Sequence, residues 1–262
     1  MSSILLKKLK GNSILKIQKD DSRKDILEKL NSRKYINMAS IQGAIFNLFF
    51  PNSCLICKES ADSSVFLCPK CLSELSELKP SVVPVEPNGE LEFVFFHSSY
   101  SSILGKLIKA YKYSSYPALS GFLAFFLYET INHNSIKIPF IVPVPSHQAA
   151  MRDRGFSNTC LILKKLKENF IEEISILNLI GRKDKIYRPQ ASIRGISERK
   201  KNVEDIFFLK NDSLIPEEII IFDDIFTSGA TLNSISKILK GEARTFYPGS
   251  VNKIKALVLA KG

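Results

Sequence analysis

One uninterrupted segment constrains this chain more than any other: Glu218-Ile219-Ile220-Ile221-Phe222-Asp223-Asp224-Ile225-Phe226-Thr227-Ser228-Gly229-Ala230-Thr231-Leu232. Its β-branched and aromatic run is a buried strand, and two adjacent carboxylates stand where that strand stops. The Thr-Ser-Gly-Ala-Thr turn opens a helix whose apolar positions are Leu232, Ile235, Ile238 and Leu239. The strand end offers acceptors for sugar hydroxyls. The turn offers hydroxyl and backbone N–H donors at the positive end of a helix dipole, where a phosphate binds well. Carboxylates for a ribose beside donors for its phosphate describe a ribose 5-phosphate site. A junction in which Thr and Ser merely cap the helix explains neither the consecutive carboxylates nor the two further hydroxyls. A nucleotide-hydrolase reading of the acidic pair fails, because the chain has no G-x-x-x-x-G-K-[ST] loop.

Four of the five cysteines fall in Cys54-Leu55-Ile56-Cys57 and Cys68-Pro69-Lys70-Cys71. Each short turn aims two thiolates at one point, so two such pairs suit structural, tetrahedral zinc. The ten-residue gap between them makes a small knuckle. A disulfide pair does not suit a reducing cytoplasm, and a redox dithiol needs only one C-x-x-C. Cys160 lies among Leu161, Ile162 and Leu163 in a helical pattern and reads as a buried apolar residue.

At 262 residues and 45% hydrophobic content, the chain has room for one domain with attachments. A formal charge of +11 points to anionic partners, whether phosphorylated ligands, nucleic acid or an acidic surface. No apolar run approaches the roughly 18 residues of a membrane span, and the N-terminus makes a poor secretory signal. A cytoplasmic protein without membrane insertion is expected.

Residues 1–37 are polar and lysine-rich, which reads as a disordered or loosely helical extension. Met38 raises a second reading, a translation start there with the preceding residues an artefact. Residues 38–80 hold an apolar helix (Ile41, Ala44, Ile45, Leu48, Phe49) and the knuckle, and Pro80, Pro84 and Pro87 make a stiff linker. From 88 to 262, strands at 91–96, 138–144, 174–179, 206–209 and 254–260 alternate with helices around 103–111, 119–127 and 156–169. This alternation predicts an α/β fold with a mainly parallel sheet, its ligands at the strands' carboxyl ends. Pro143-Val144-Pro145-Ser146-His147 lies at one such end and leads to Arg152 and Arg154, a rigid way to hold an anion. His147 either contacts a phosphate, caps the following helix, or does neither. A cation-dense stretch from Arg182-Lys183 through Arg188, Arg194 and Arg199 to Lys201 is suited to closing over a polyanion.

The segment from Glu218 to Leu232 resembles the phosphoribosyl pyrophosphate (PRPP) motif of type I phosphoribosyltransferases. Together with the knuckles, Lys112-Tyr113, Pro143-Val144-Pro145, Arg152-x-Arg154-Gly155-Phe156, and Arg188, Gln190, Arg199 and Asn202, it resembles the ComF/GntX family over residues 41–262. Ser157-Asn158 departs from the Asn-Gln usual after Arg-Gly-Phe in that family. The resemblance implies a type I phosphoribosyltransferase-like fold with a small N-terminal zinc-binding module of four cysteines. It implies that Asp223 and Asp224 hold the ribose 2′- and 3′-hydroxyls, with Thr227, Ser228, Gly229, Ala230 and Thr231 around the 5′-phosphate. Arg152, Arg154, Arg188 and Arg199 would meet the pyrophosphate of magnesium-PRPP. The implied role is DNA uptake in natural transformation, with single-stranded DNA and the uptake machinery as partners. Two alternatives stay open: an active transferase with an unknown acceptor, and a PRPP-responsive regulator without turnover.

Overall fold

The computed structural model describes residues 21–32, 53–62, 65–84, 91–113, 116–137, 140–183, 206–210, 216–246 and 253–262. In chain order the elements are α1 (Arg23–Asn31), α2 (Pro69–Ser76), β1 (Ser81–Pro84), β2 (Phe93–Ser99), α3 (Ile103–Tyr113) and α4 (Ser120–His133). There follow β3 (Phe140–Pro143), α5 (Gln148–Arg154), α6 (Asn158–Asn169), β4 (Ser175–Ile176), β5 (Ile180–Arg182) and β6 (Phe207–Leu209). The segment with the acidic pair supplies β7 (Glu218–Phe226) and α7 (Ala230–Phe246), and β8 (Lys253–Lys261) closes the chain.

Six strands form one sheet in the order β1-β2-β8-β7-β3-β4, and β5 and β6 form a separate antiparallel ribbon. All neighbours from β2 to β4 run parallel; only β1 is antiparallel. The expected α/β architecture with a mainly parallel sheet is therefore present. Strand periodicity sorts the core into two layers. Ile220 and Phe222 of β7 join Ile141 and Leu257 on one face, covered by α3, α4 and α6. Ile219 and Ile221 join Val142, Ala256 and Val258 on the other, covered by α7 and the β5–β6 ribbon. Burial on both faces is why β7 reads as an unbroken apolar run rather than an alternating one. Among the described residues, no helix is long and apolar enough to cross a membrane.

The proline-rich linker is partly a strand. Residues Ser81–Pro84 pair with β2 at the sheet's edge, where Pro84 costs no interior ladder bond. The strand expected at 174–179 contracts to Ser175–Ile176, and the chain then leaves the sheet for the β5–β6 ribbon. The proline turn leads into a short helix, α5, which ends at Gly155, whose φ of +79° is a left-handed cap. That cap separates α5 from α6, which starts at Asn158 rather than 156. The apolar helix expected around 41–49 lies outside the described residues.

The largest departure from expectation is at the N-terminus. The expected disordered or loosely helical extension contains α1, and that helix is part of the core. Ser22 and Asp25 form a capping box at its start. Ile26, Leu27 and Leu30 are buried in the same cluster as Phe122 and Leu75. Sequence composition hides this because only three apolar residues carry the contact, spaced i, i+1 and i+4 among charges. Arg23 reaches across to the end of α2, donating to the carbonyls of Ser76 and, at 2.7 Å, Leu78, and pairs with Glu129 of α4 at 2.6 Å. At the other end the Asn31 side chain brackets Leu67, accepting from its N–H at 2.8 Å and donating to its carbonyl at 2.9 Å. A chain beginning at Met38 would lack all of these contacts.

Truncating Leu27, which is 1% exposed, to alanine is expected to cost about 2–5 kcal/mol of unfolding free energy. Lys24→Ala on the exposed side of α1 should cost under about 0.5 kcal/mol. Denaturant melts of the two variants check this, and equal stabilities would show that α1 is not part of the cooperative core.

Candidate functional site

Chain direction changes between β3 and β7. From β3 the chain crosses through α6 to β4 on one side, and from β7 it crosses through α7 to β8 on the other. Such a switch point opens a crevice beyond the carboxyl ends of the two strands. The hydrogen bonds show where it opens. Val144 N–H still donates to the Phe222 carbonyl at 2.9 Å. One step later the strands part: Asp224 N–H turns to the Asp223 carboxylate at 2.8 Å, and the Val144 carbonyl accepts from the Thr159 hydroxyl at 2.9 Å. Asp223 and Asp224 are thus the first β7 residues beyond its pairing with β3.

Being consecutive on a strand, the two carboxylates point to opposite faces of the sheet. Asp223 joins Thr227–Leu232 in lining a small cleft of about 30 Å³. Burial, then the charge of Asp224, pushes its carboxyl up to about 7; the Asp224 N–H and the cations Lys112 and Arg182 oppose that rise. Asp224 faces α3 instead. It is 9% exposed, and Lys112 Nζ sits 2.8 Å from each of its oxygens.

The turn is shaped by Gly229. Its φ of +71° favours glycine, and a Cβ there would lie 3.0 Å from the Phe226 ring. Thr227 and Ser228 are exposed, Ser228 Oγ lies 3.5 Å from the Ala230 N–H, and the Asn233 N–H closes the first helical turn on the Gly229 carbonyl at 2.9 Å. The first N–H groups of α7 have no partner within the helix. Hydroxyls of the turn and the Asp223 carboxylate thus line one small cleft at the start of α7.

His147 caps α5, its Nδ1 accepting from the Ala149 N–H at 3.1 Å. Ser146, Ser157 and Thr159 form a hydroxyl chain at 3.1 and 3.2 Å that ties the β3 end to α6. Arg152 is exposed, with Gln148 of its own helix at 3.4 Å. Arg154 is placed in α5 by its backbone. Arg188 and Arg199 lie outside the described residues. The residue sequence reasoning missed is Lys112: it matches a family motif, but nothing in the sequence links it to an aspartate 112 positions away.

The four cysteines meet as expected. The sulfurs of Cys54, Cys57, Cys68 and Cys71 all lie within 4.8 Å of one another, with Cys57 and Cys68 at 3.6 Å. Tetrahedral zinc with bonds of about 2.3 Å places sulfurs about 3.8 Å apart, so the set fits that ion. Burial opposes ionisation of Cys54, yet the N–H groups of Cys57, Cys68 and Ile56 hold its thiol down at about 7. Burial and the neighbouring sulfurs push Cys71 up, a penalty that a cation among four thiolates reverses. Phe66 and Leu67, between the two pairs, belong to the main core, so the knuckle is built into the domain. Purified protein is expected to carry one zinc per chain by elemental analysis. Cys54→Ser should lose most of that metal and lower the melting temperature by several degrees. Metal-free wild type with an unchanged melting curve would contradict the assignment.

No protein-family model matches the chain. It is similar to competence protein F of Haemophilus influenzae, 26% identical over 199 residues, covering 71% of this chain and 83% of that protein. It is also similar to competence protein ComFC of Streptococcus pneumoniae, 27% identical over 144 residues, covering 54% of this chain and 59% of that protein. Both names accord with the ComF resemblance read from the motifs.

Proposed function

We propose that this chain is a ComF-family, phosphoribosyltransferase-like protein that binds PRPP at the switch point between β3 and β7 and acts in competence, in the uptake of DNA. The observation that carries this reading is the shared cleft of Asp223 and the Thr227–Leu232 turn. One carboxylate, a row of hydroxyls and the N-terminus of a 17-residue helix stand within a single turn of chain. The 5′-phosphate belongs in the turn, with N–H groups and the hydroxyls of Thr227, Ser228 and Thr231 as donors. The ribose lies over the carboxyl end of β7, where Asp223 and Asp224 can each accept a hydroxyl although they project from opposite faces. The similarity to two competence proteins supplies the biological half of the proposal.

Magnesium fits as a companion of the ligand rather than as a resident ion. Among the described residues the cysteines are the one cluster of three or more metal-ligating side chains. Two carboxylates, one engaged by Lys112, do not build a protein cage, and magnesium is ordinarily held by one or two carboxylates plus phosphates. When bound, it would supply charge neutralisation on the diphosphate. Should the protein turn over, its own residues contribute positioning and fixed charge at the anomeric carbon's departing group. Pyrophosphate release that depends on an added nucleobase distinguishes a transferase from a PRPP-binding regulator.

The pH dependence follows from Asp223. Its folded carboxyl ionises at about 7 instead of near 3.8, and the ionised form is the stronger acceptor for a ribose hydroxyl. Affinity for PRPP in the presence of magnesium is expected to rise as pH climbs from about 6 to about 8, with proton release on binding below about 7. The PRPP phosphates titrate in the same range, so the readout is the difference from Asp223→Asn, which should bind more weakly and with a flatter profile. Calorimetric titration across that range checks it. Wild type and Asp223→Asn with the same affinity and slope would remove Asp223 from the site.

A further inference from the structure

Asn31 is the last residue of α1, it is buried, and both ends of its side-chain amide are engaged. Oδ1 accepts from the Leu67 N–H at 2.8 Å, and Nδ2 donates to the Leu67 carbonyl at 2.9 Å. Because a backbone N–H only donates and a carbonyl only accepts, the amide has one possible orientation. The Asn31 backbone carbonyl takes the Phe66 N–H at 3.1 Å, and the Phe66 carbonyl takes the Leu55 N–H at 3.0 Å. One residue of α1 thus grips the chain just before Cys68 and, through Phe66, the chain just after Cys54.

The carbonyl of Leu67 and the N–H of Cys68 belong to one planar peptide unit and point in opposite directions. On the far side of that unit the N–H donates to the Cys54 sulfur, beside the N–H groups of Cys57 and Ile56. Fixing the carbonyl therefore fixes the donor that meets the sulfur. A hydrogen bond to the carbonyl also polarises the peptide and strengthens its N–H. Four thiolates around a divalent cation carry excess negative charge, so such donors govern how firmly the ion is held. We propose that Asn31 is a positioning residue of the cysteine site, holding the Leu67–Cys68 peptide so that its N–H stays on the Cys54 sulfur and the metal is retained. This rests on reading the four cysteines as a zinc site, and it extends the support of that site to a helix outside the knuckle.

Zinc affinity of the full chain, measured by competition with a chromophoric chelator below every variant's melting transition, provides the test. Asn31→Ala should bind zinc about tenfold or more weakly than wild type, the usual effect of losing an outer partner of a metal ligand. Asn31→Asp keeps an acceptor for the Leu67 N–H and loses the donor to the carbonyl, so it should fall with the alanine variant. Leu27→Ala loosens α1 by a different route and leaves the Asn31 amide intact, so its zinc affinity should stay close to that of wild type. Cobalt(II) supplies a spectroscopic readout. Its thiolate-to-metal charge-transfer band should shift in both Asn31 variants and match wild type in Leu27→Ala. Asn31→Ala with wild-type affinity and an unshifted band overturns the proposal and leaves the zinc reading standing. So does a Leu27→Ala variant that loses as much affinity as Asn31→Ala, since general loosening of α1 then suffices. Wild type that takes up neither zinc nor cobalt overturns both.

Discussion

The parting of β3 from β7 after one last hydrogen bond, Val144 N–H to the Phe222 carbonyl, organises everything around it. Parallel strands that stay paired to their ends leave no room beyond them. Here the Val144 carbonyl is drawn off by Thr159, and the Asp224 N–H by its own neighbour's side chain. Both of those backbone groups keep a partner, so neither is left unpaired where the strands part. Two acidic side chains, one turn rich in hydroxyls and one lysine then surround a gap that the topology makes unavoidable. Fold alone does not assign chemistry to such a gap. The side chains at its rim do.

The second organising feature is the way the N-terminal pieces are fastened. The knuckle carries four thiols on short turns, placed where they could hold a metal, and it packs on its neighbours through Phe66 and Leu67. Asn31 fixes Leu67 immediately before Cys68, while Arg23 secures the end of α2 and pairs with α4. Helix α1 thus ties the knuckle to the same hydrophobic layer that positions α3. Through α3 that layer also sets where Lys112 stands. The cysteine knuckle and the crevice share one scaffold.

Much of this was legible in the sequence, for identifiable physical reasons. The β7–α7 unit was readable because a fully buried parallel strand must be apolar throughout and its turn needs glycine at a positive φ. The cysteine pairs were readable because ligand geometry restricts their spacing. Helix α1 was not, since three apolar side chains among lysines resemble a solvated segment until a partner surface is known. The edge strand Ser81–Pro84 was hidden by prolines that an edge position tolerates. The orientation of Asp223 and Asp224 was implicit in strand periodicity, but the consequence was not. Each carboxylate meets a different neighbour, and Lys112 comes from a helix that no local pattern connects to Asp224.

In the proposed complex one ligand bridges the hydroxyl turn and the strand end across the crevice. Backbone amide chemical-shift mapping on isotope-labelled protein, titrated with magnesium-PRPP, tests it most directly. Saturable shifts are expected at Asp223, Asp224 and Thr227–Thr231, with a second group at Val144 and Ser146 and none along the edge strand at Val82 and Val83. Shifts absent from the turn, or gathered at the edge strand or the cysteine knuckle instead, would contradict it.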